Sequence, residues 1–300
     1  MFLDIVKRIY AKSPMQKKRI SVYLEGRSPI YFQEADEFAV RYCDFLATQG
    51  ISVDCAVDAY IKMCNDMMRC QVAFMRTGRY PVESSDNANI AVYSNEREML
   101  NYMVGLAISQ FLWHSHYEIY SFFKATIRER AGFISNYLEI GPGHGLFLQN
   151  ALKELNLKQA VAIDISKTSL DLTRAIIAHS DPSGNNNVHY VMGDILKVEL
   201  GIKFDFITMG EVLEHVDYPN ELLIRLKKML VPGGRGFIST CANCPAIDHV
   251  YQFDTVHQIR ELITSCGLTI IKDMPLSVEN ITVIEAEYKK FPINYCAIVG

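Results

Sequence analysis

Short apolar segments alternate with helical segments after residue 132, and this alternation constrains the fold more than any other feature of the sequence. Helices between successive strands predict parallel pairing, with helices packed on both faces of one sheet. The last two apolar segments are joined by a connection in which we find no helical periodicity, so the sheet is expected to be mixed. We therefore predict an α/β fold with a seven-stranded mixed sheet whose strands are 137–140, 160–164, 188–194, 204–210, 234–240, 268–274 and 294–300, with helices at about 146–156, 167–179, 219–230 and 255–266.

Residues 1–131 carry helical periodicity and almost no strand signal. Glycine or proline follows three of the helical runs, at Gly50, at Gly78 with Pro81, and at Gly132, and the segment contains no Pro- or Gly-rich linker. A length of 300 residues is itself typical of about two domains. We predict an all-helical N-terminal domain, residues 1–131, packed on a second domain, residues 132–300. The predicted helices of the N-terminal domain are an amphipathic one within the first 19 residues, then 31–48, 53–77, 95–112 and about 115–130.

Composition narrows the partners that this chain can have. Lys and Arg number 30 against 34 Asp and Glu, a net charge of −4, whereas nucleic-acid binding normally needs a basic excess. No apolar stretch approaches the ~18 residues of a membrane span, and the first residues do not resemble a signal peptide. We therefore expect a cytoplasmic protein with eight reduced cysteines and no nucleic-acid or membrane partner. The oligomeric state stays open, a homodimer being one alternative.

A glycine-rich turn follows the first predicted strand and reads Gly141-Pro-Gly143-His-Gly145. Glycines there let the backbone approach a ligand and place a helix N-terminus beside it. The dinucleotide fingerprint GxGxxG has its third glycine three positions after the second, but here the third comes two positions after and Glu139 precedes the turn. The spacing therefore disfavours nicotinamide binding while still indicating a ligand.

Acidic residues end the second and third predicted strands. Asp164 stands where a carboxylate can accept from both hydroxyls of a ribose, and Ile165 follows it. Asp194 can accept from an exocyclic amine, with Ile195 beneath a purine ring. Ligands of open α/β sheets bind at the carboxyl ends of the strands, so these groups together predict a nucleoside site.

Residues 137–240 closely resemble the Rossmann-like class I S-adenosylmethionine-dependent methyltransferases. The resemblance rests on the glycine turn, on the two strand-end acids, on Phe204-Asp-Phe-Ile-Thr-Met-Gly-Glu211-Val-Leu-Glu-His215 and on Leu226-Lys-Lys-Met-Leu-Val-Pro232-Gly-Gly234. The N-terminal residues resemble, more loosely, the helical caps with which several small-molecule methyltransferases close their substrate pocket. Together the resemblances imply S-adenosyl-L-methionine as cofactor, bound by residues 132–300, and a small-molecule acceptor beneath a cap formed by residues 1–131. The sequence does not specify whether the acceptor's nucleophile is carbon, nitrogen or oxygen. The cofactor-binding residues that the resemblance of residues 137–240 implies are Glu139, Gly141, Gly143, Gly145, Asp164, Ile165, Asp194, Ile195, Gly210 and Glu211.

His215, just beyond the fourth strand, is the predicted general base for an acceptor that must lose a proton. The alternative is that its segment only packs and orients the cofactor. Glu211, Glu214 and His215 form an ExxEH segment similar to one that carries a divalent ion in ubiquinone-pathway O-methyltransferases and small-RNA 2′-O-methyltransferases, and His249 could complete it. Because members of the general family have a similar segment without a metal ion, we do not expect a metal ion at this site.

Tyr93 and His249 are the predicted substrate-binding residues. Met99, Tyr102, Met103, His114, His116, Tyr117 and Tyr120 could also line a substrate cavity, but we expect most of them to form the core between cap and sheet. Cys241-Ala-Asn-Cys244 is a lone CxxC and lacks the second ligand pair of a zinc site. Two other functions remain open: another reaction of the same cofactor, such as aminopropyl transfer or cyclisation, and a non-catalytic cofactor-binding subunit.

Overall fold

Helices form the N-terminal part of the chain. The structure is a computed structural model and describes residues 1–82, 84, 95–181, 187–279 and 281–300. Three of the predicted helices have the expected bounds within two residues, and the predicted helix 95–112 ends three residues early because the backbone N–H groups of Leu112 and Trp113 donate to the Ser109 carbonyl. The helices are α1 (Phe2–Lys12), α2 (Pro14–Leu24), α3 (Pro29–Thr48), α4 (Val53–Thr77), α5 (Glu96–Ser109) and α6 (His114–Glu129).

The second helix, α2, was not predicted. It begins directly after Ser13, whose hydroxyl accepts from the backbone N–H of Gln16, with Pro14 in the first helical position. Proline there costs little because its missing N–H would have no partner inside the helix. The serine cap and the proline therefore divide the basic N-terminal segment into two helices.

A seven-stranded sheet follows, as predicted. Its strands are β1 (Asn136–Ile140), β2 (Gln159–Asp164), β3 (Val188–Met192), β4 (Phe204–Gly210), β5 (Leu230–Ala242), β6 (Ile270–Ser277) and β7 (Ile293–Val299). The strand order, which was not predicted, is β3-β2-β1-β4-β5-β7-β6. Neighbours among the first five strands are parallel, whereas β7 lies antiparallel between β5 and β6, so the sheet is mixed, in agreement with the prediction.

The helices of the sheet region are α7 (Leu146–Glu154), α8 (Lys167–Ser180), α9 (Pro219–Met229), α10 (Val256–Ser265) and α11 (Val283–Lys289). The prediction of a helix-free connection between the last two strands was wrong, because α11 lies in it. Thr282 caps this helix by accepting from the Glu285 backbone N–H. A seven-residue helix is too short to produce a clear periodic pattern.

Aromatic side chains join the N-terminal helices to the sheet. The Phe123 ring of α6 lies 4.8 Å from that of Phe147 on α7 and 5.2 Å from that of Phe237 on β5, measured between ring centroids. These residues belong to one apolar core that extends from α1 to β7. The helices are therefore packed on the sheet rather than tethered beside it. No helix within the described ranges is long and apolar enough to cross a membrane.

Candidate active site

A cavity of about 1920 Å³ lies between the carboxyl ends of the strands and the N-terminal helices. Its floor includes the turns after β1, β2 and β4, and its opposite wall is formed by side chains of α2, α4, α5 and α6. This is the edge at which parallel α/β sheets bind ligands. Eight of the ten predicted cofactor-binding residues line it: Gly141, Gly143, Asp164, Ile165, Asp194, Ile195, Gly210 and Glu211.

The three glycines of the first turn all have the left-handed backbone conformation that favours glycine, with φ of 66°, 54° and 76°. A Cβ at Gly141 would lie 2.8 Å from Cγ2 of Val212. Gly145 does not line the cavity: a Cβ there would lie 2.8 Å from Cγ2 of Ile176, so this glycine allows α7 to pack closely against α8. Two glycines therefore face the cavity and one serves the packing beneath it.

Glu139 is buried behind the glycine turn and does not line the cavity. Its carboxylate accepts a hydrogen bond of 2.7 Å from the Tyr137 hydroxyl. Burial raises the pKa of this carboxyl to about 8, so at neutral pH it is mostly protonated. The geometry favours support of the turn over direct contact with a ligand.

Asp164 ends β2 at the cavity wall. Its carboxylate accepts from the backbone N–H of Ser166 at 2.8 Å, which fixes the side chain at the start of α8. Burial raises the pKa of the Asp164 carboxyl to about 6. The next side chain, Ile165, is 55% exposed, which is unusual for isoleucine, and it also lines the cavity. An oriented carboxylate beside an exposed apolar surface suits a ribose.

Asp194 follows β3 and forms two polar contacts of its own. Its Oδ1 accepts from the Leu196 backbone N–H at 2.9 Å, and its Oδ2 lies 3.2 Å from Nζ of Lys197. Ile195 is buried next to it, so the pair presents one polar and one apolar surface to the cavity.

Glu211, at the end of β4, is one of the few non-glycine residues with a positive φ, 53°. Its backbone N–H donates to the carbonyl of Ser239 at 3.0 Å, which holds the strained turn in place. Strained backbone of this kind is held by its surroundings and is concentrated at functional sites. Burial raises the pKa of the Glu211 carboxyl above its ordinary value.

His215, Asp248, His249 and Glu214 form what we call the histidine–acid cluster. Nδ1 of His215 lies 3.1 Å from the Asp248 carbonyl oxygen and 3.5 Å from its carboxylate. Nδ1 of His249 lies 2.6 Å from the Cys244 carbonyl oxygen, and the two imidazole rings are perpendicular with centroids 4.7 Å apart. Because carbonyls only accept, both Nδ1 atoms carry the proton in the neutral rings, which leaves each Nε2 as an acceptor.

The cluster also has the chemistry of a metal site. Ligand atoms of His215, Asp248 and His249 lie within 4.8 Å of one another, and so do those of Glu214, Cys241 and His249. Carbonyl partners at Nδ1 orient imidazoles toward a metal in many such sites. Burial lowers the pKa of His249 to about 4, so its ring is neutral and able to ligate. A divalent ion that accepts nitrogen and oxygen ligands would fit here.

Five of the seven residues that we expected mainly to form the core also line the cavity. These are Met99, Tyr102, Met103, His114 and His116, whereas Tyr117 and Tyr120 do not line it. Met99, Tyr102 and Met103 belong to the core as well, as expected. Tyr93 lies outside the described residues. Asp248 was missed, although its position directly before His249 was a usable signal. Tyr80 was also missed: its hydroxyl accepts from the Cys244 backbone N–H at 2.9 Å, and no pattern in the sequence indicated this contact.

Comparison with known proteins agrees with this geometry. Residues 138–235 match a family model described as a methyltransferase domain. A mitochondrial ubiquinone biosynthesis O-methyltransferase from Candida albicans is 32% identical over 103 residues, which are 34% of this chain and 31% of that protein. The chain covers less than half the length of the first curated relatives that it matches.

Two solved structures share the fold. The N-methyltransferase NodS from Bradyrhizobium japonicum WM9, crystallised with S-adenosyl-L-homocysteine, has a TM-score of 0.53 at 17% identity and covers 71% of this chain and 98% of its own. An O-methyltransferase family protein from Burkholderia thailandensis has a TM-score of 0.54 at 14% identity and covers 82% of this chain and 72% of its own. Both likenesses concern the fold alone.

Proposed function

We propose that the chain is a class I S-adenosylmethionine-dependent methyltransferase that transfers a methyl group from S-adenosyl-L-methionine to a small-molecule acceptor, a proposal supported by the methyltransferase-domain model that matches residues 138–235. The observation that carries this proposal is the convergence of three strand ends on one cavity. The glycine turn after β1, Asp164 at the end of β2 and Asp194 after β3 all line it. We propose that they hold the methionyl, ribose and adenine parts in that order.

The remaining cavity volume is proposed to take the acceptor. A volume of about 1920 Å³ exceeds that of most small-molecule pockets, which are roughly 300–1,000 Å³. Its outer wall is built by residues 1–131, which we propose act as a substrate-binding cap domain on residues 132–300. Tyr93 and His249 remain our proposed substrate contacts.

The cofactor supplies a methyl group that is already activated by its positive sulfur, so the protein's contribution is mainly alignment and exclusion of water. His215 is proposed to remove the acceptor's proton. Its Nδ1–H faces the Asp248 carbonyl, and the carboxylate of the same residue is 3.5 Å away, where it would stabilise the charged imidazolium. The side chain is only 16% exposed, which limits competition from water.

Product analysis tests the reaction. The protein is incubated with S-adenosyl-L-methionine and a metabolite mixture, and we expect S-adenosylhomocysteine together with a metabolite that has gained one methyl group. Methylthioadenosine as the product would identify aminopropyl transfer or a similar reaction instead. Cofactor binding without any product from the metabolite mixture would favour a non-catalytic subunit.

A second candidate is metal-assisted methylation of an oxygen nucleophile, favoured by the histidine–acid cluster. His215, Asp248 and His249 would hold the ion, and a divalent ion there would stabilise a deprotonated oxygen of the acceptor. In this case His215 would be a metal ligand and would not be the base. Metal content of the purified protein, together with the effect of chelation on acceptor binding, separates the two candidates.

We also propose a cytoplasmic location, a small-molecule substrate as the principal partner, and no nucleic-acid or membrane partner. All eight cysteines are free thiols, which is typical of a reducing compartment. Cell fractionation tests the location, and sedimentation measurements decide between a monomer and a homodimer.

A further inference from the structure

His116, in the first turn of α6, presents a hydrogen-bond acceptor to the cavity. Its Nδ1 lies 2.7 Å from the Ser109 hydroxyl oxygen, and that hydroxyl lies 2.7 Å from the Leu106 carbonyl oxygen. The hydroxyl has one proton, which must point to the carbonyl because a carbonyl only accepts. Both contacts are then satisfied only if Nδ1–H of His116 donates to Ser109. Nε2 of His116 is therefore an unprotonated acceptor, and the residue lines the cavity.

His144, in the glycine turn, has the opposite tautomer. The backbone N–H of Leu146 donates to Nδ1 of His144 at 3.2 Å, so this nitrogen is the acceptor. In a neutral imidazole the proton then sits on Nε2. His144 also lines the cavity, which therefore receives one imidazole acceptor from the N-terminal helices and one imidazole donor from the sheet.

Both rings stay neutral over the physiological pH range. Burial lowers the pKa of His116 to about 3 and that of His144 to about 4, and His144 itself contributes to the lowering at His116. Ring contacts relate the two residues: the Phe147 ring lies 6.4 Å from that of His144 and 6.1 Å from that of Tyr120, which is one helical turn after His116 on α6. A pKa of about 3 also makes His116 a poor base, so its role is to accept a hydrogen bond without taking the proton.

Contacts around His116 fix its position at the start of α6. The Trp113 ring lies 4.6 Å from the His116 ring, and the amide of Gln110 donates to the His116 carbonyl at 2.7 Å. On the neighbouring helix, Sδ of Met103 stands 3.2 Å from the place where a Cβ at Gly143 would be. Helix α5 therefore lies against the turn at which the methionyl group is proposed to bind, and His116 lines the same cavity as this turn.

We propose that His116 and His144 together recognise the charged amino-acid end of the bound cofactor, His116 accepting from its α-ammonium and His144 donating to its α-carboxylate. This inference rests on the proposed function and adds to it a cofactor contact supplied by the N-terminal helices. The α-carbon of the cofactor carries a donor, the ammonium, and an acceptor, the carboxylate. These two groups match the acceptor on His116 and the donor on His144. Neutral rings also avoid repelling the positive sulfur.

Two ligands distinguish the amino-acid end from the rest of the cofactor. S-adenosylhomocysteine carries the α-ammonium and α-carboxylate, whereas 5′-methylthioadenosine has the same nucleoside and sulfur without them. Calorimetric titration of His116→Phe should show about tenfold weaker binding of S-adenosylhomocysteine, the loss of one hydrogen bond to a charged group, and unchanged binding of methylthioadenosine. His144→Phe should show the same selectivity.

His116→Gln and His257→Phe serve as controls. Glutamine loses the contact to Ser109 as phenylalanine does, but its Oε1 can occupy the position of Nε2, so it should restore most of the affinity. His257 lies on α10 and does not line the cavity, its side chain is 76% exposed, and its replacement should change neither affinity. Equal weakening of both ligands in His116→Phe, or no weakening, would overturn the inference. A parent protein that binds neither ligand would instead refute the proposed function.

Discussion

Replacing Asp164 with asparagine removes a buried charge at the end of β2 while keeping the shape of the side chain. Burial raises the pKa of this carboxyl from its ordinary 3.8 to about 6. Between these values the unfolded chain is ionised while the folded protein still binds the proton, so the folded state loses stability as the pH rises through this window. At roughly 1.4 kcal/mol per pKa unit, the loss amounts to about 3 kcal/mol and is complete above pH 6. Asp164→Asn should therefore be up to about 3 kcal/mol more stable than the parent above pH 6 and equal to it below about pH 4.

Affinity for the cofactor should change in the opposite direction. If the carboxylate accepts from the ribose hydroxyls, its replacement costs about 1.5–3 kcal/mol for each hydrogen bond, which is at least tenfold in affinity. The parent protein should also bind about tenfold more weakly for each pH unit below 6, because the carboxyl must first lose its proton. Asparagine does not ionise, so protonation at position 164 should not weaken cofactor binding by the Asp164→Asn variant as the pH falls below 6.

Denaturant unfolding and calorimetric titration with S-adenosylhomocysteine, each near pH 4 and near pH 7.5, measure both effects. The expected result is a variant with a higher unfolding midpoint and a weaker affinity at the upper pH. A less stable variant at that pH would show that the hydrogen bond from Ser166 outweighs the cost of burying the charge. Unchanged affinity would remove the ribose assignment.

Three further predictions concern other parts of the site. His215→Gln should lower the rate of methyl transfer by roughly 10²–10⁴-fold at unchanged S-adenosylhomocysteine affinity, whereas an unchanged rate would leave the residue only a packing role. Gly145→Ala should lower the free energy of unfolding by about 1–3 kcal/mol more than Gly201→Ala does. A Cβ at position 145 would lie 2.8 Å from Cγ2 of Ile176, whereas a Cβ at position 201 would have no atom within 4 Å. Equal losses in denaturant unfolding of the two variants, which share a positive φ, would contradict this packing argument. Dialysis against a chelator should leave the transfer rate unchanged, and a loss restored by a divalent ion would instead favour the metal-assisted candidate.

Sequence patterns located most of the sheet because buried strands are continuous apolar runs. The bounds of β4, 204–210, were predicted without error. β5 begins four residues earlier than predicted, since Val-Pro-Gly-Gly at 231–234 has the composition of a turn but lies within the strand, across an irregularity in the pairing with β4. Short elements such as α11 depend on one cap and on tertiary packing, which periodicity does not detect.

The sequence predicts those site residues whose position depends on the element directly before them. It does not predict contacts between residues that are far apart in sequence. The glycine turn and Asp164 are placed by the strand that precedes each, so a motif suffices to find them. His215 and Asp248 are 33 residues apart in sequence, and only the folded loop after β5 brings them together. The opposite tautomers of His116 and His144 depend on single hydrogen bonds, which no sequence pattern records.

The position of β7 between β5 and β6 affects how the protein assembles during synthesis. The first five strands can pair as they leave the ribosome, but one edge of β5 stays open, and β6 has no neighbour, until residues 293–299 follow. Open strand edges recruit other chains. Translation that stopped shortly before these residues would therefore leave a sheet with an exposed edge and an unattached strand, a species prone to aggregate rather than a slightly shortened protein.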